Sequence, residues 1–168
     1  MDTKTRERIA YHISNFADPE VKIACRAEGF LIRWYGDRAL DQLVEACQHD
    51  DPKVRWRAAW TLGQIGNAEA FEAILNATSD PVSFVRFEAA WALGILGDPR
   101  AIEPLVNLVF SPDPLKPSFA AIQGLCELGD LAIPAVSCFI DHPDNEIRFT
   151  AISLIDKIKS GAYTQDRM

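Results

Sequence analysis

The chain has little of what most enzyme chemistry needs. Its three histidines are His12, His49 and His142. None stands at metal-ligand spacing from another, and no His-Glu-x-x-His pair occurs. The four cysteines, Cys25, Cys47, Cys126 and Cys138, form no Cys-x-x-Cys pair. Each falls among apolar residues of an expected helix, where a thiol packs as a small hydrophobe. There is no glycine-rich phosphate loop, and no serine lies in a nucleophile-elbow context. The sequence therefore calls for no cofactor and no metal, and a non-enzymatic role is expected. Glu28 and Glu88 are isolated acids with no base set beside them in the sequence.

Basic charge is also scarce. Lysine and arginine total 17 against 24 acids, a net charge of −7, and the arginines are interspersed with acids. A nucleic-acid-binding array needs a basic stripe to neutralise phosphates, so no nucleic acid is expected as partner. No apolar run reaches membrane-spanning length, so no membrane association is expected. The opening MDTKTRERIAYHI lacks the basic-then-apolar layout of a signal peptide, which makes the cytoplasm the expected location. Nor does any run alternate with strand periodicity, leaving an all-α chain.

What is present is a repeat. VRWRAAWTLGQIG, Val54 to Gly66, returns as VRFEAAWALGILG, Val85 to Gly97, at a spacing of 31 residues. Recurrence at that period marks stacked helical pairs. The pattern continues with decay. Phe119, Ala121, Leu125 and Leu128 follow Phe87, Ala89, Leu93 and Leu96; Phe149, Ala151, Ile155 and Ile158 come next. Upstream, Val21, Cys25 and Ile32 align with Val54, Ala58 and Ile65. A second recurring piece starts at Gly36, Gly66, Gly97 and Gly129. Each unit thus reads as helix, Gly-Asp or Gly-Asn turn, second helix, Asp-Pro turn.

Turn chemistry agrees. Gly66, Gly97 and Gly129 stand where a helix end needs a left-handed residue. Asn67, Asp98 and Asp130 follow with side chains suited to cap the next helix. Asp18-Pro19, Asp51-Pro52, Asp80-Pro81 and Asp113-Pro114 each put an N-cap type residue before a proline, which starts a helix well. Pro104 and Pro134 are expected to kink the second helices of their units. The expected boundaries are a cap helix at 1–17, repeats at 18–50, 51–79, 80–112 and 113–143, a half-repeat at 144–159 and a frayed tail at 160–168. Ile9, Ile13 and Phe16 would form the cap's apolar face, shielding the first unit.

The units resemble the HEAT-like repeats of the phycobilisome-lyase type. Their signature, V-R-x-x-A-A-x-A-L-G-x-[IL]-G-[DN]-x-x-A, is met almost fully over Val54 to Ala70 and Val85 to Ala101. It is met partly over Phe119 to Ala132, and loosely around Val21 and Ile147. The resemblance covers roughly residues 18 to 158. It implies a right-handed α-solenoid of four to five helical pairs, with Val-Arg helices on the concave side and Gly-Asp helices on the convex side. The repeat class also includes an iron-dependent hydroxylase, whose His-Glu dipeptides are absent here.

A helical projection from Val54 puts Ala58, Leu62 and Ile65 within about 80° of one another, the buried stripe. Trp56, Arg57, Trp60 and Gln64 fall at roughly 200–300°, on the far side. From Val85 the far side carries Phe87, Glu88, Trp91 and Ile95. In the next units it carries Phe119, Gln123 and Glu127, then Phe149, Ser153 and Lys157; in the first unit, Ile23, Ala27, Leu31 and Trp34. A face that should be polar is an aromatic ladder. Each ring can bury about 150–250 Å², so four exceed the few hundred Å² of contiguous apolar surface that monomers commonly expose.

Three readings of this face stand at this point. The rings are packing between repeats, a recognition surface for a protein partner, or a surface for self-association into a homodimer. On the second reading a partner helix or extended segment lies across the concave side, anchored by Trp56, Trp60, Phe87 and Trp91. Arg57, Glu88 and Gln123 then set its register, and Gln64 and Phe119 complete the partner-binding set. The resemblance to bilin lyases supplies an alternative, a planar tetrapyrrole stacked on the same rings with Arg57 meeting a propionate. The recurrent Arg55, Arg86 and Arg148 belong to the repeat signature. They are expected to bind a neighbouring acid or free carbonyls at a helix end.

Overall fold

The computed structural model describes residues 1–111 and 118–161. The Asp113-Pro114 turn and residues 162–168 of the expected tail lie outside the described residues. Ten α-helices are described: α1 (Thr3–Ser14), α2 (Val21–Phe30), α3 (Leu40–Ala46), α4 (Pro52–Ile65), α5 (Phe71–Ala77), α6 (Ser83–Leu96), α7 (Ile102–Val109), α8 (Ser118–Leu128), α9 (Ile133–Ser137) and α10 (Asn145–Ser160). There is no strand among the described residues, and the pairs α2–α3, α4–α5, α6–α7 and α8–α9 stack in order as an α-solenoid.

Two layers enclose one core. Val54, Ala58 and Leu62 of α4, Val85, Ala89 and Leu93 of α6, and Ala121 and Leu125 of α8 are buried against Ile74, Leu105 and Val136 of the second layer. Ile9 of α1 and Phe16 just after it, fully buried, close the N-terminal end.

The first-layer helices α4, α6 and α8 lie side by side at very close range, whereas α3, α5 and α7 barely touch one another. In an arc the layer in closest contact is the inner one, so the α4–α6–α8 face is concave. Glycine permits the approach. A Cβ added to Gly94 would sit 2.2 Å from the Gly124 Cα, and one added to Gly63 would sit 2.8 Å from the Ala92 carbonyl oxygen. Backbone against backbone leaves a side chain no room.

The turns follow the repeat. Gly66, Gly97 and Gly129 adopt φ of 76°, 73° and 61°. Asp51, Asn67 and Asp98 accept from the backbone N–H groups of Lys53, Glu69 and Arg100. His49 and His142 use Nδ1 in the same manner, accepting from the N–H of Asp51 and Asp144.

The signature arginines act as helix-end clamps. Arg55 Nη1 donates to the carbonyls of His49 and Asp50, Arg86 Nη1 to those of Asp80 and Pro81, and Arg148 Nη1 to those of His142 and Pro143. In every case the acceptors lie six and five residues earlier, where the preceding chain has run out of helical partners. Arg55 also forks onto Asp80 of the next unit, at 2.7 and 3.0 Å.

Several expectations need correcting. Val21 is 64% exposed and Cys25 is exposed, while Ala24, Ala27 and Leu31 are buried, so the core frame of the first unit is rotated from the aligned one. Ala24, Ala27 and Leu31 are spaced three and four apart as a helical stripe, and the π turn Leu31–Tyr35 then breaks the 3.6-residue register on which the alignment to Ile32 relied. Pro104 and Pro134 do not kink helices. Each lies in the first turn after a 3₁₀ segment, where the missing N–H costs nothing. Helices α2 and α6 begin two residues after Pro19 and Pro81, and Asp18 and Asp80 cap the intervening turns instead. Cys138 is exposed rather than packed. One stretch among the described residues, Ser118–Ser137, is long and apolar enough to cross a membrane by length and composition. It is the α8–α9 pair, turned at Gly129, and its residues Ala121, Leu125 and Val136 are in the core.

Two predictions follow from this packing. Gly94→Ala is expected to cost about 1–3 kcal/mol by overpacking. Thermal unfolding should show it as a fall of roughly 2–4 °C in Tm per kcal/mol; an unchanged Tm would mean that α6 and α8 can separate freely. The second concerns Asp80. Burial alone would raise its carboxyl pKa, but hydrogen bonds from Arg55 and the Val82 N–H, with the charges of Arg55 and Arg86, hold it below the ordinary value. A depressed folded pKa gives stability that is present above about pH 4 and lost as pH falls through the folded value. Asp80→Asn should therefore cost about 1–3 kcal/mol at pH 7. In urea unfolding the gap to wild type should narrow as pH falls below about 4 and close once Asp80 is protonated in the folded state.

Candidate functional site

The concave face is built from residues that the helical repeat brings into rows. Each first helix contributes a ring one turn from the next, and the 31-residue period sets those rings against their counterparts on the neighbouring helix. Trp60 of α4 meets Trp91 of α6 at 5.2 Å between ring centroids, tilted by 60°. Phe87 of α6 stacks on Phe119 of α8 at 6.2 Å and 14°. Trp56 meets Phe84 edge-on at 5.3 Å and 86°, a partner that lies one residue before Val85 and that the projection omitted.

These rings pack between repeats, yet they do not disappear. Trp56, Trp60, Phe87 and Trp91 are half-buried. Phe84, Phe119 and Phe149 remain 50, 58 and 74% exposed. Edge contact between repeats and an open apolar surface are thus properties of the same side chains. Gln64, near the C-terminal end of α4, and Gln123 of α8, aligned with Trp91, are half-buried beside them.

A charged row crosses the same face. Arg57 departs from the expectation of a free register-setting cation. Its side chain is only 8% exposed, and its Nη1 donates to Glu28 Oε1 of α2, whose side chain is 11% exposed. The guanidinium lies 4.3 Å over the Trp56 ring, and Nη1 is 3.9 Å from Cys25 Sγ. Sequence alignment could not reveal the Glu28 partner because the first unit's frame was rotated. Its signal was present all the same, as an acid on an otherwise apolar stretch of α2.

Burial raises the Glu28 carboxyl pKa, against the pull of the Arg57 hydrogen bond and charge. Glu88 of α6 is raised too, first by burial and then by the charge of Glu28, with Arg57 opposing. Glu28, Arg57 and Glu88 therefore form one acid–base–acid group across α2, α4 and α6. Glu88 has no hydrogen bond or ion pair with any of the described residues.

Burial pushes the Cys47 thiol up to about 12, and burial also raises Cys126, so neither supplies a thiolate near neutrality. No group of three or more His, Cys, Asp or Glu that could hold a metal occurs among the described residues.

A second hollow lies at the N-terminal end, lined by Thr5, Arg8, Tyr11, His12, Trp34 and Arg38 with their neighbours. His12 is not a solvated side chain. It stacks on Phe30 at 5.1 Å and 13°, and burial lowers its pKa.

Comparison with known proteins agrees with this architecture. A model of HEAT repeats matches residues 1–71 and 40–116. No curated protein matches the sequence. Among solved structures, the complex of CpcE and CpcF of phycocyanin lyase from Nostoc sp. PCC7120 is similar in fold. Its TM-score is 0.60 at 23% identity, over 94% of this chain and 67% of that one. Human deoxyhypusine hydroxylase, in complex with glycerol, is similar with a TM-score of 0.56 at 18% identity, over 92% of this chain and 63% of that one. The chain thus spans about two thirds of the length of either, and what is shared is the stacking of helical pairs. With the repeat matched across more than half its residues and the pairs stacked as the sequence period requires, the chain belongs to the HEAT-repeat family.

Proposed function

We propose that this protein is a non-enzymatic interaction module that holds a protein partner along the concave face of α4, α6 and α8. The partner is a helix or extended segment, seated on Trp56, Trp60, Phe87 and Trp91 and reaching Phe119. The observation that carries this reading is the aromatic row itself. Rings at the inter-repeat contacts would be fully buried if packing were their whole purpose, yet Phe84 and Phe119 leave half or more of their surface in water. Rigid aromatic side chains lose little entropy on binding and bury large areas, the pattern of interface hot spots. HEAT repeats supply a long rigid surface of this kind rather than a closed pocket.

A planar anion such as a bilin is the weaker fit to the same face. Arg57, the cation that would meet its propionate, is already paired with Glu28, and Glu88 adds negative charge beside it.

The test uses the exposed rings, whose loss leaves the core intact. A Phe84→Ala/Phe119→Ala variant should stay folded by circular dichroism, since each ring pair adds only about 0.5–1.5 kcal/mol beyond its buried area. Wild type should capture a protein from host extract that this variant does not. Identical captures would place the contact elsewhere and leave the rings as packing residues.

A further inference from the structure

The charged row on the concave face is unfinished. Across α2 and α4 it is complete. The Glu28 carboxylate accepts from Arg57, and the Arg57 guanidinium lies over the Trp56 ring, so carboxylate, cation and indole form one unit. Further along the stack, α6 offers a carboxylate and an indole again. Glu88 occupies the position of Arg57 at the 31-residue period, and Trp91 stands one turn further along α6 on the same face, in contact with Trp60. The middle part is missing. The equivalent position of α8, aligned through Phe87 and Phe119, is Ala120, which is buried and carries no charge. Glu88 is left half-buried among apolar rings with no hydrogen bond or ion pair from the described residues.

Such a carboxylate is costly. Burial disfavours its charge and the neighbouring Glu28 disfavours it further, and the Arg57 charge, engaged by Glu28, offsets this only in part. An indole pair beside an unanswered carboxylate is a receptor for a cation, because the ring faces and the carboxylate attract the same charge. The chain as a whole, at −7, draws basic segments towards it.

We propose that the partner segment on this face carries a lysine or arginine side chain that docks on Glu88 against Trp60 and Trp91, with apolar residues on either side meeting Phe84, Phe87 and Phe119. The inference rests on the partner-binding reading above and names the chemistry of that partner. The docked cation answers Glu88 as Arg57 answers Glu28, and the alternation of acid and base then runs unbroken from α2.

The test begins with the purified full chain, immobilised and panned against a phage-displayed library of random twelve-residue peptides. Wild type should enrich peptides in which a lysine or arginine is flanked by aromatic or aliphatic residues. A synthetic copy of an enriched peptide is then titrated while the tryptophan fluorescence of the protein is followed, with a chain lacking tryptophan as the peptide. Glu88→Gln should weaken its binding by roughly tenfold or more, as should replacing the peptide's cation by methionine. The same Glu88→Gln variant should keep or gain thermal stability at pH 7. A raised folded pKa means that the carboxylate loses stability as pH rises through it, and the amide removes that loss. A purely structural Glu88 would instead lower the Tm. Enriched peptides without a basic residue, or equal affinity for wild type and Glu88→Gln, would overturn this inference and leave the interaction reading standing. No enrichment at all would overturn both.

Discussion

The contact on which the rest of this molecule depends is the meeting of backbones at Gly63, Gly94 and Gly124. With no Cβ between them, α4, α6 and α8 approach until Gly94 lies against the Gly124 backbone. The second-layer helices, separated by full side chains, cannot follow to the same distance. The difference in spacing between the two layers is what curves the stack, and it makes the face of the first helices the inner one. It also brings the side chains flanking the glycines together. Trp60 meets Trp91 and Phe87 meets Phe119 because their helices are held at this distance.

Arginine serves two separate ends in this stack. Arg55, Arg86 and Arg148 are consumed by carbonyls left at the ends of the preceding segments, so they fix how one unit leads into the next. Arg57 is outside that pattern. It holds Glu28 across the boundary between the first two units and shields its own charge under Trp56. The first unit, whose Ala27, Leu31 and Leu43 share the core with α4, is thereby tied to the regular part of the stack by a charge-assisted bond as well. The same group ends at Glu88, which is without a hydrogen bond or ion pair among the described residues, so the feature that anchors the first repeat also bears on the charge of the concave face.

Much of this was readable before any coordinates. Val54, Ala58, Leu62 and their repeats at Val85, Ala89 and Leu93 declared the buried stripe by their period, and Gly66, Gly97 and Gly129 declared the turns by the backbone they require. The aromatic residues of the far side were found from the same projection. The failures share a cause. Val21, Phe84 and Glu28 lie where a straight, evenly repeating helix is a poor ruler, either because the helix does not continue at 3.6 residues per turn or because the contact is made by a neighbouring unit. Pro104 and Pro134 were misread because a sequence does not mark the change from a 3₁₀ turn to an α-helix, which decides whether a proline is tolerated.

The sequence by itself determined that this is a stack of helical pairs, where the regular pairs turn, and which residues of the regular repeats line the core, since periodicity and turn residues act over a few neighbours and need no tertiary context. Only the tertiary structure decided which rings touch, that Arg57 is spent on Glu28, and that Glu88 has no hydrogen bond or ion pair among the described residues. Those outcomes depend on distances between helices some 30 residues apart, set by glycine contacts and by the rotation of the first unit, and no local pattern encodes them.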